Sequence, residues 1–499
     1  MTSRLRPALA LATVALLALP ALALGQDEPS LEQTQSDLNT TWVMVAAILV
    51  MFMQAGFAFL EIGFSRAKNA GAGVAKILTN FSIAGLCYWA VGFALAFGAG
   101  GTISGTEGFF LNVSVDPAEA ASSIPLLETY AISPAALLFF QFVFCAVSLA
   151  IVWGTTLERI KFGAYLIYAV VFSAVLYPVI SHWIFNPDGW LQANVGMQDF
   201  AGSTVVHLIG ATGALAALLL LGPRRGKFGA DGKPRAIPGH SMPLVGLGVL
   251  ILWLGWFGFN PGSTLGASSG RFAEVALVTN LAAAAGVLGA MAMMYALTRT
   301  VDIGMAGNGA IAGLVGITAP SGYVEFWAAP VIGLVAGVIV VVGVLAIDKK
   351  LDDPVGALSA HGLAGIWGTL ACGLFTSTRL AELNAIGEPG FFYSGSFAQL
   401  GAQALGIAVT FVVAFGVSFA VFFLIKKTIG LRVSAEQEDA GLDIVEHGMY
   451  GYPEQFIPLP EMGAASSGPL ARPSLTGSGS PATAASARST SSDREEVTA

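Results

Sequence analysis

Charge is scarce in this sequence. Only 11% of its 499 residues are Asp, Glu, Lys or Arg, while 55% are hydrophobic; a soluble domain carries about 25% charged residues. That shortage excludes an ordinary water-soluble chain. Cysteine is nearly absent as well. Cys87, Cys145 and Cys372 each fall inside an apolar run, with no paired spacing that would suggest a disulfide framework or a zinc site. Also missing is the ten-residue apolar–polar alternation of a membrane β-barrel. The net charge of −8 says little about partners, because acids and bases sit on different faces and tails. No nucleic-acid partner, no cofactor and no metal is expected.

What the chain does have is long apolar runs. Eleven recur between Trp42 and Ile425, at about 41–64, 72–99, 134–154, 163–185, 201–221, 243–263, 274–297, 304–320, 325–347, 356–375 and 399–425. They predict an all-α polytopic membrane protein with eleven transmembrane helices. The 61 glycines, many set among Ala and Ser, suit closely packed spans. The eighth run is short and rich in Gly and Ala, which predicts a buried helix.

Residues 1–25 carry Arg4 and Arg6, then an apolar stretch and small-residue cleavage candidates, the pattern of a signal peptide. Residues 26–40 then form an exported N-terminus. With that end outside, the inner connections hold most of the basic residues, from Arg66, Lys68 and Lys76 through Arg159 and Arg224 to Lys426 and Lys427. The outer ones hold only Arg271 and Arg379. The positive-inside rule therefore also gives N-out and C-in. Beyond the helical domain (41–425), a mixed-charge tail (426–454) is expected to order against the inner face. The Ser-, Ala- and Pro-rich stretch 455–499 is expected to be disordered.

Two stretches carry the chemistry. Asp199 precedes His207 by eight residues, and Asp353 precedes His361 by eight. Eight residues of helix are about 12 Å, which brings each histidine near mid-membrane. An ionisable group there reads as functional unless it is satisfied locally; the bland alternative is two unrelated histidines bonded to backbone carbonyls. The runs that hold them are expected to lie antiparallel, so segments 1–5 and 6–10 form inverted repeats with a site at their interface. No third deep ligand is expected beside the histidines. His182 is expected near an outer end, and His240 and His447 in the inner loop and the tail. Around the outer mouth, Phe140–Phe144 and the run Gly255–Ser263 offer aromatic faces and a hydroxyl. They suit a small cation losing its water, or an interfacial aromatic belt.

The motifs Asp199-Phe-Ala-Gly with Val206-His207, Gly255-Trp-Phe-Gly-Phe-Asn260, His361-Gly, Leu157-Glu-Arg-Ile160 and Gly430-Leu-Arg-Val433 resemble one family closely, the ammonium transporters of the Amt/Mep/Rh type, over residues 40–450. The resemblance implies an eleven-helix, five-plus-five inverted repeat assembled as a homotrimer in the plasma membrane, with a pore in each subunit. It implies that His207 and His361 are twin pore histidines and that Phe144 and Phe259 form a stacked gate. Asp199, Ser263, Phe144 and Phe185 would make the outer ammonium site, with Asp199 aiding deprotonation, while Trp256, Asn260 and Asp353 would support the pore. Most members place Trp where this chain has Phe185, so a rearranged outer site is expected. The tail from Gly430 to Glu446 resembles a regulatory segment that packs on a neighbouring subunit and answers to a PII-type signal protein. The function expected is ammonium transport without enzymatic chemistry: ammonium is deprotonated, ammonia crosses, and the proton follows a separate path. The alternative is an ammonium sensor that conducts little and signals through its tail.

Overall fold

Long apolar segments in lipid must close their own backbone hydrogen bonds, and helices do this within each segment. The computed structural model describes residues 30–456. Among them every named element is helical, and there is no β-strand. In chain order the apolar helices are α1 (Leu31–Phe64), α2 (Ala67–Phe97), α3 (Pro134–Thr155), α4 (Phe162–Ala193), α5 (Ser203–Leu221), α6 (Met242–Thr264), α7 (Arg271–Thr298), α8 (Ile303–Thr318), α9 (Ala328–Ile347), α10 (Leu358–Phe375) and α11 (Ala398–Thr428). Ten of them are long and apolar enough to cross a membrane; α8 is shorter. It is buried at every position from Asn308 to Thr318, as its small residues suggest. Glycine makes the close packing around it. A Cβ on Gly286 of α7 would lie 2.9 Å from the Gly313 Cα of α8, and one on Gly337 of α9 would lie 2.9 Å from the Ala290 nitrogen of α7.

The first span is longer than expected. α1 begins at Leu31, where the Ser30 hydroxyl accepts the Gln33 N–H at 3.0 Å. Its 34 residues reach about 51 Å, so much of the stretch 26–40 is the beginning of this helix. Residues 1–25, expected to be a signal peptide, and nearly all of 455–499 lie outside the described residues.

Several basic residues expected in loops are buried. Lys76 lies within α2 and is 1% exposed, its Nζ 4.0 Å from the centre of the Trp153 ring. Arg159 is fully buried and donates to the carbonyls of Leu157, Gly222 and Asp352. Arg224 forks onto both Asp352 oxygens at 2.9 Å and reaches Glu158 at 3.4 Å. Arg66 also pairs with Glu158. Buried charges are tolerated only when paired and hydrogen-bonded, and here they tie four inter-helix connections together. Burial pushes the Asp352 carboxyl up, but the Arg224 hydrogen bonds and the charges of Arg159 and Arg224 outweigh it and hold that group at about 2.

The tail is ordered on this same face. Its two short helices, α12 (Ala435–Ala440) and α13 (Leu442–His447), attach through specific bonds. Ala72 N–H donates to Asp443, Leu442 N–H to Asn69, and Lys68 to the carbonyls of Glu438 and Asp439. Glu438 accepts from the Arg225 N–H and the Arg432 guanidinium. Pro453–Phe456 form a short helical turn at the end of the described residues.

Candidate functional site

The site is built by the way α5 and α10 begin. A helix start leaves backbone N–H groups without partners, and an acidic side chain placed just before it can take them. Asp199 takes four. Its Oδ1 accepts from Gly202 and Ser203, and its Oδ2 from Thr204 and Val205, at 2.7–3.0 Å. Asp353 does the same for α10, accepting from Val355, Gly356 and Leu358. Three residues after each acid stands a glycine in the left-handed region, Gly202 at φ +113° and Gly356 at φ +73°. These turns need a residue free of Cβ strain. The shared pattern is therefore acid, glycine at plus three, histidine at plus eight.

Both histidines also fall within π-helical turns, Ser203–Leu208 and Leu358–Leu363. Such turns are rare and frequently mark functional sites; others occur at Tyr88–Gly92 and Phe172–Leu176. The turns at His207 and His361 bring the two rings together in the core. The Nδ1 atoms of His207 and His361 lie 3.2 Å apart, with ring centres 5.2 Å apart and nearly parallel. The histidines bond to each other rather than to backbone carbonyls. A neutral imidazole has one donor and one acceptor nitrogen, so one Nδ1 donates and the other accepts, which leaves both Nε2 atoms facing elsewhere. His207 Nε2 meets no protein partner among the described residues.

Above His207, toward the Asp199 face, aromatic rings close the way. His207 stacks on Trp256 and Phe259 at 5.4 and 5.6 Å. Phe259 in turn stacks on Phe144 at 4.0 Å and 13°. Trp256 is fixed by a bond from its indole N–H to Thr318, and Asn260 by one to Thr279. Beyond the Phe pair opens a vestibule of about 310 Å³, whose lining includes Phe144, Phe185, Asp199 and Ser263, together with Tyr130, Gln141 and Tyr323. The Ser263 hydroxyl donates to the Phe259 carbonyl at 2.9 Å, which leaves its oxygen free to accept. Trp183 is turned away, its indole donating to the Ile103 carbonyl with Trp190 beside it; Phe185 is the ring at the vestibule wall.

The structure brings His207, His361, Trp256, Phe259 and Phe144 into one run of ring contacts and puts Phe185, Asp199 and Ser263 on the vestibule wall, while Asp353 sits at the start of α10 and Asn260 bonds to Thr279. His182 stands in the last turn of the Tyr177–Phe185 stretch of α4, at a helix end as expected. It is fully buried there, with its ring nitrogens against the carbonyls of Ala96 and Gly101 at 3.0 and 2.7 Å, and it fastens the loop after α2. One expectation needs correcting: the paired histidines do not lack a nearby buried carboxylate. Glu61 of α1 is 2% exposed and shares a small cavity with His361 on the tail side. Its position inside the first apolar run, where any ionisable residue is costly, was the signal. Among the described residues no group of three or more His, Cys, Asp or Glu could hold a metal.

The sequence profile described as "Ammonium Transporter Family" matches residues 41–452. Ammonium transporter Amt2 of Archaeoglobus fulgidus is 44% identical over 436 residues, covering 85% of this chain and 90% of that protein. An ammonium transporter of Bacillus subtilis is 33% identical, covering 84% and 99%. Among solved structures, one titled "Sensor Amt Protein" superposes with a TM-score of 0.76 at 36% identity, covering 84% of this chain and all of that one. Candida albicans Mep2 superposes with a TM-score of 0.72 at 28% identity, covering 82% and 88%. With its helices, its column of rings and these likenesses together, this multi-pass membrane chain belongs to the ammonium transporter family.

Proposed function

We propose that the chain recruits ammonium at the Asp199 face, removes a proton there, and conducts ammonia past the Phe pair and along His207 and His361. The observation that carries this reading is the order of contacts: a polar aromatic vestibule, two stacked Phe rings, then two mutually bonded histidines. Ammonium and potassium ions are similar in size, and only ammonium can shed a proton and continue uncharged. An apolar plug followed by hydrogen-bonding rings rewards that step. Phe144 and Phe185 face the cation, at about 0.5–2 kcal/mol per cation–π contact, and Ser263 accepts one of its N–H bonds. Asp199 supports the mouth through its field and by holding the start of α5. The proton leaves by a separate path that includes the histidines, whose rings titrate near pH 6.5 in water.

In this reading α8 also crosses, giving eleven spans with the N-terminus outside and the tail in the cytoplasm of a cell whose plasma membrane holds a homotrimer. Supporting the inverted repeat is the matched acid–glycine–histidine pattern at opposite faces. The ordered tail, 426–454, is the regulatory segment, and its exposed face is where a PII-type protein docks. Residues 1–25 act as a signal peptide, and 455–499 as an extension beyond the transport domain. The test is reconstitution in proteoliposomes with an ammonium gradient. Ammonium-evoked current or vesicle alkalinisation by ammonia supports transport; the absence of both overturns it.

The likeness to a solved protein titled as a sensor favours one rival, an ammonium sensor of low conductance. It requires ammonium to change the tail's protection from hydrogen exchange while flux stays near that of empty vesicles.

A further inference from the structure

On the tail side of the histidines, one group has no part in the reading above. Glu61 faces a cavity of about 20 Å³ whose lining also includes His361, Asn308 and Val355. That volume holds one water or one ammonia, since a water needs about 10–15 Å³ on this measure. The carboxylate is built in. Its Oε1 packs against Gly154 of α3, where a Cβ would stand 2.7 Å away, so a side chain there would displace the carboxylate from its present position. Its Oε2 is buried and has no hydrogen-bond partner among the described residues. A buried carboxyl with a vacant oxygen is costly unless something arrives to use it. The charged group nearest in kind is Lys76, whose Nζ rests over Trp153, the residue beside Gly154. Both Lys76 and the Trp153 indole act on Glu61, although that indole N–H stands outside hydrogen-bond geometry.

Resting on the proposed transport reading, the geometry points to Glu61 as the site where ammonia leaving His361 is protonated back to ammonium before release toward the tail face. The Glu61 carboxyl gives its O–H proton to the ammonia lone pair. The O–H bond breaks as the fourth N–H bond forms, leaving a carboxylate and an ammonium ion. Lys76 makes that carboxylate tolerable and at the same time repels the new cation, so the product does not stay. The proton taken from ammonium at the vestibule, passed by His361, reloads the carboxylate. Atoms and charge balance: one ammonium enters and one leaves.

The test is Glu61→Gln in proteoliposomes, with ammonium-evoked current and total uptake of isotopically labelled ammonia nitrogen recorded on the same preparation. Expected is a fall in current of at least about tenfold, with that nitrogen flux within about twofold of the parent. Glu61→Asp, which keeps a carboxyl on a shorter stem, retains part of the current. Current unchanged in Glu61→Gln overturns the proposal, as does loss of current and flux together, or a parent protein that carries ammonia without any current. A parent protein with neither signal instead overturns the transport reading itself. Should Glu61→Gln fail to fold, a carbodiimide that attacks protonated buried carboxyls decides on the parent chain. Labelling at Glu61 that abolishes current and spares flux supports the proposal, and loss of current without label on Glu61 overturns it.

Discussion

His207 and His361 meet Nδ1 to Nδ1 at 3.2 Å, and that contact limits what each can offer a passing molecule. With one proton shared between the facing nitrogens, the pair presents its Nε2 atoms to the pore as one acceptor and one donor. A carboxylate in place of either ring breaks this balance and admits a fixed charge. His207→Asp and His361→Glu are therefore expected to let potassium carry current that the parent excludes. Potassium-evoked current in reconstituted vesicles checks this, and unchanged transport, selectivity and current in both variants would remove the histidines from the mechanism.

Phe144 and Phe259 stack at 4.0 Å between the vestibule wall and His207. Phe259→Ala removes a ring that also packs against His207 and Trp256. Truncating a buried Phe typically costs about 3–5 kcal/mol, so a lower melting temperature is expected alongside a new proton leak. Dye-reported acidification of vesicles without ammonium measures the leak. A tight, well-folded variant would show that the ring does not seal the path.

Asp199 accepts four backbone N–H groups, and bonds to a charged group contribute about 1.5–3 kcal/mol each. Asp199→Asn turns an amide NH₂ toward two of those donors. It is expected to lower the yield and melting temperature of detergent-solubilised protein before any question of transport arises. A variant as stable as the parent, with transport alone lost, would shift the weight from helix capping to proton handling.

At the vestibule, Phe185 faces the space where ammonium is proposed to rest. A Trp ring is the better cation–π partner. Phe185→Trp is expected to lower the half-saturating ammonium concentration by roughly two- to fivefold, a gain of about 0.5–1 kcal/mol. Concentration dependence of the evoked current reads this directly.

The charge cluster under the tail has a defined pH response. Asp352 is held at about 2 against an ordinary 3.8, so its contribution is fully present above pH 4 and is lost as pH falls through 2. At about 1.4 kcal/mol per unit this amounts to roughly 2 kcal/mol. Between pH 7 and 5 the melting temperature is expected to show no loss from this group. Asp352→Asn is expected to lower stability at pH 7 and to remove the acid-dependent part of the decline.

How far the chain could be read in advance differs from residue to residue. The twin motifs were legible because two acids stand eight residues before two histidines, and because ionisable groups are rare in apolar runs. The helices were legible from hydropathy alone. Glu61 was not singled out, since α1 is apolar on nearly every face and its sequence does not say which side meets α3 and α10. Lys76 was assigned to a connection because counting basic residues near span ends takes no account of whether a side chain turns inward, where Trp153 covers it. The π-helical turns at both histidines follow from a one-residue shift in hydrogen bonding, which composition does not record. Gly202 and Gly356 were visible, but only the backbone angles reveal that they are matched hinges of two helix starts.

One more consequence follows from Phe144 and Phe259 lying 4.0 Å apart and almost parallel. Two rings in van der Waals contact leave no room for a standing file of water, so protons have no wire through the gate and solutes have no open pipe. On the proposed transport reading, each crossing waits for the rings to part, which would make passage a series of discrete admissions. Throughput would then be capped by the frequency of ring motion rather than by the number of molecules waiting, and raising ammonium outside would fill the queue without widening the door.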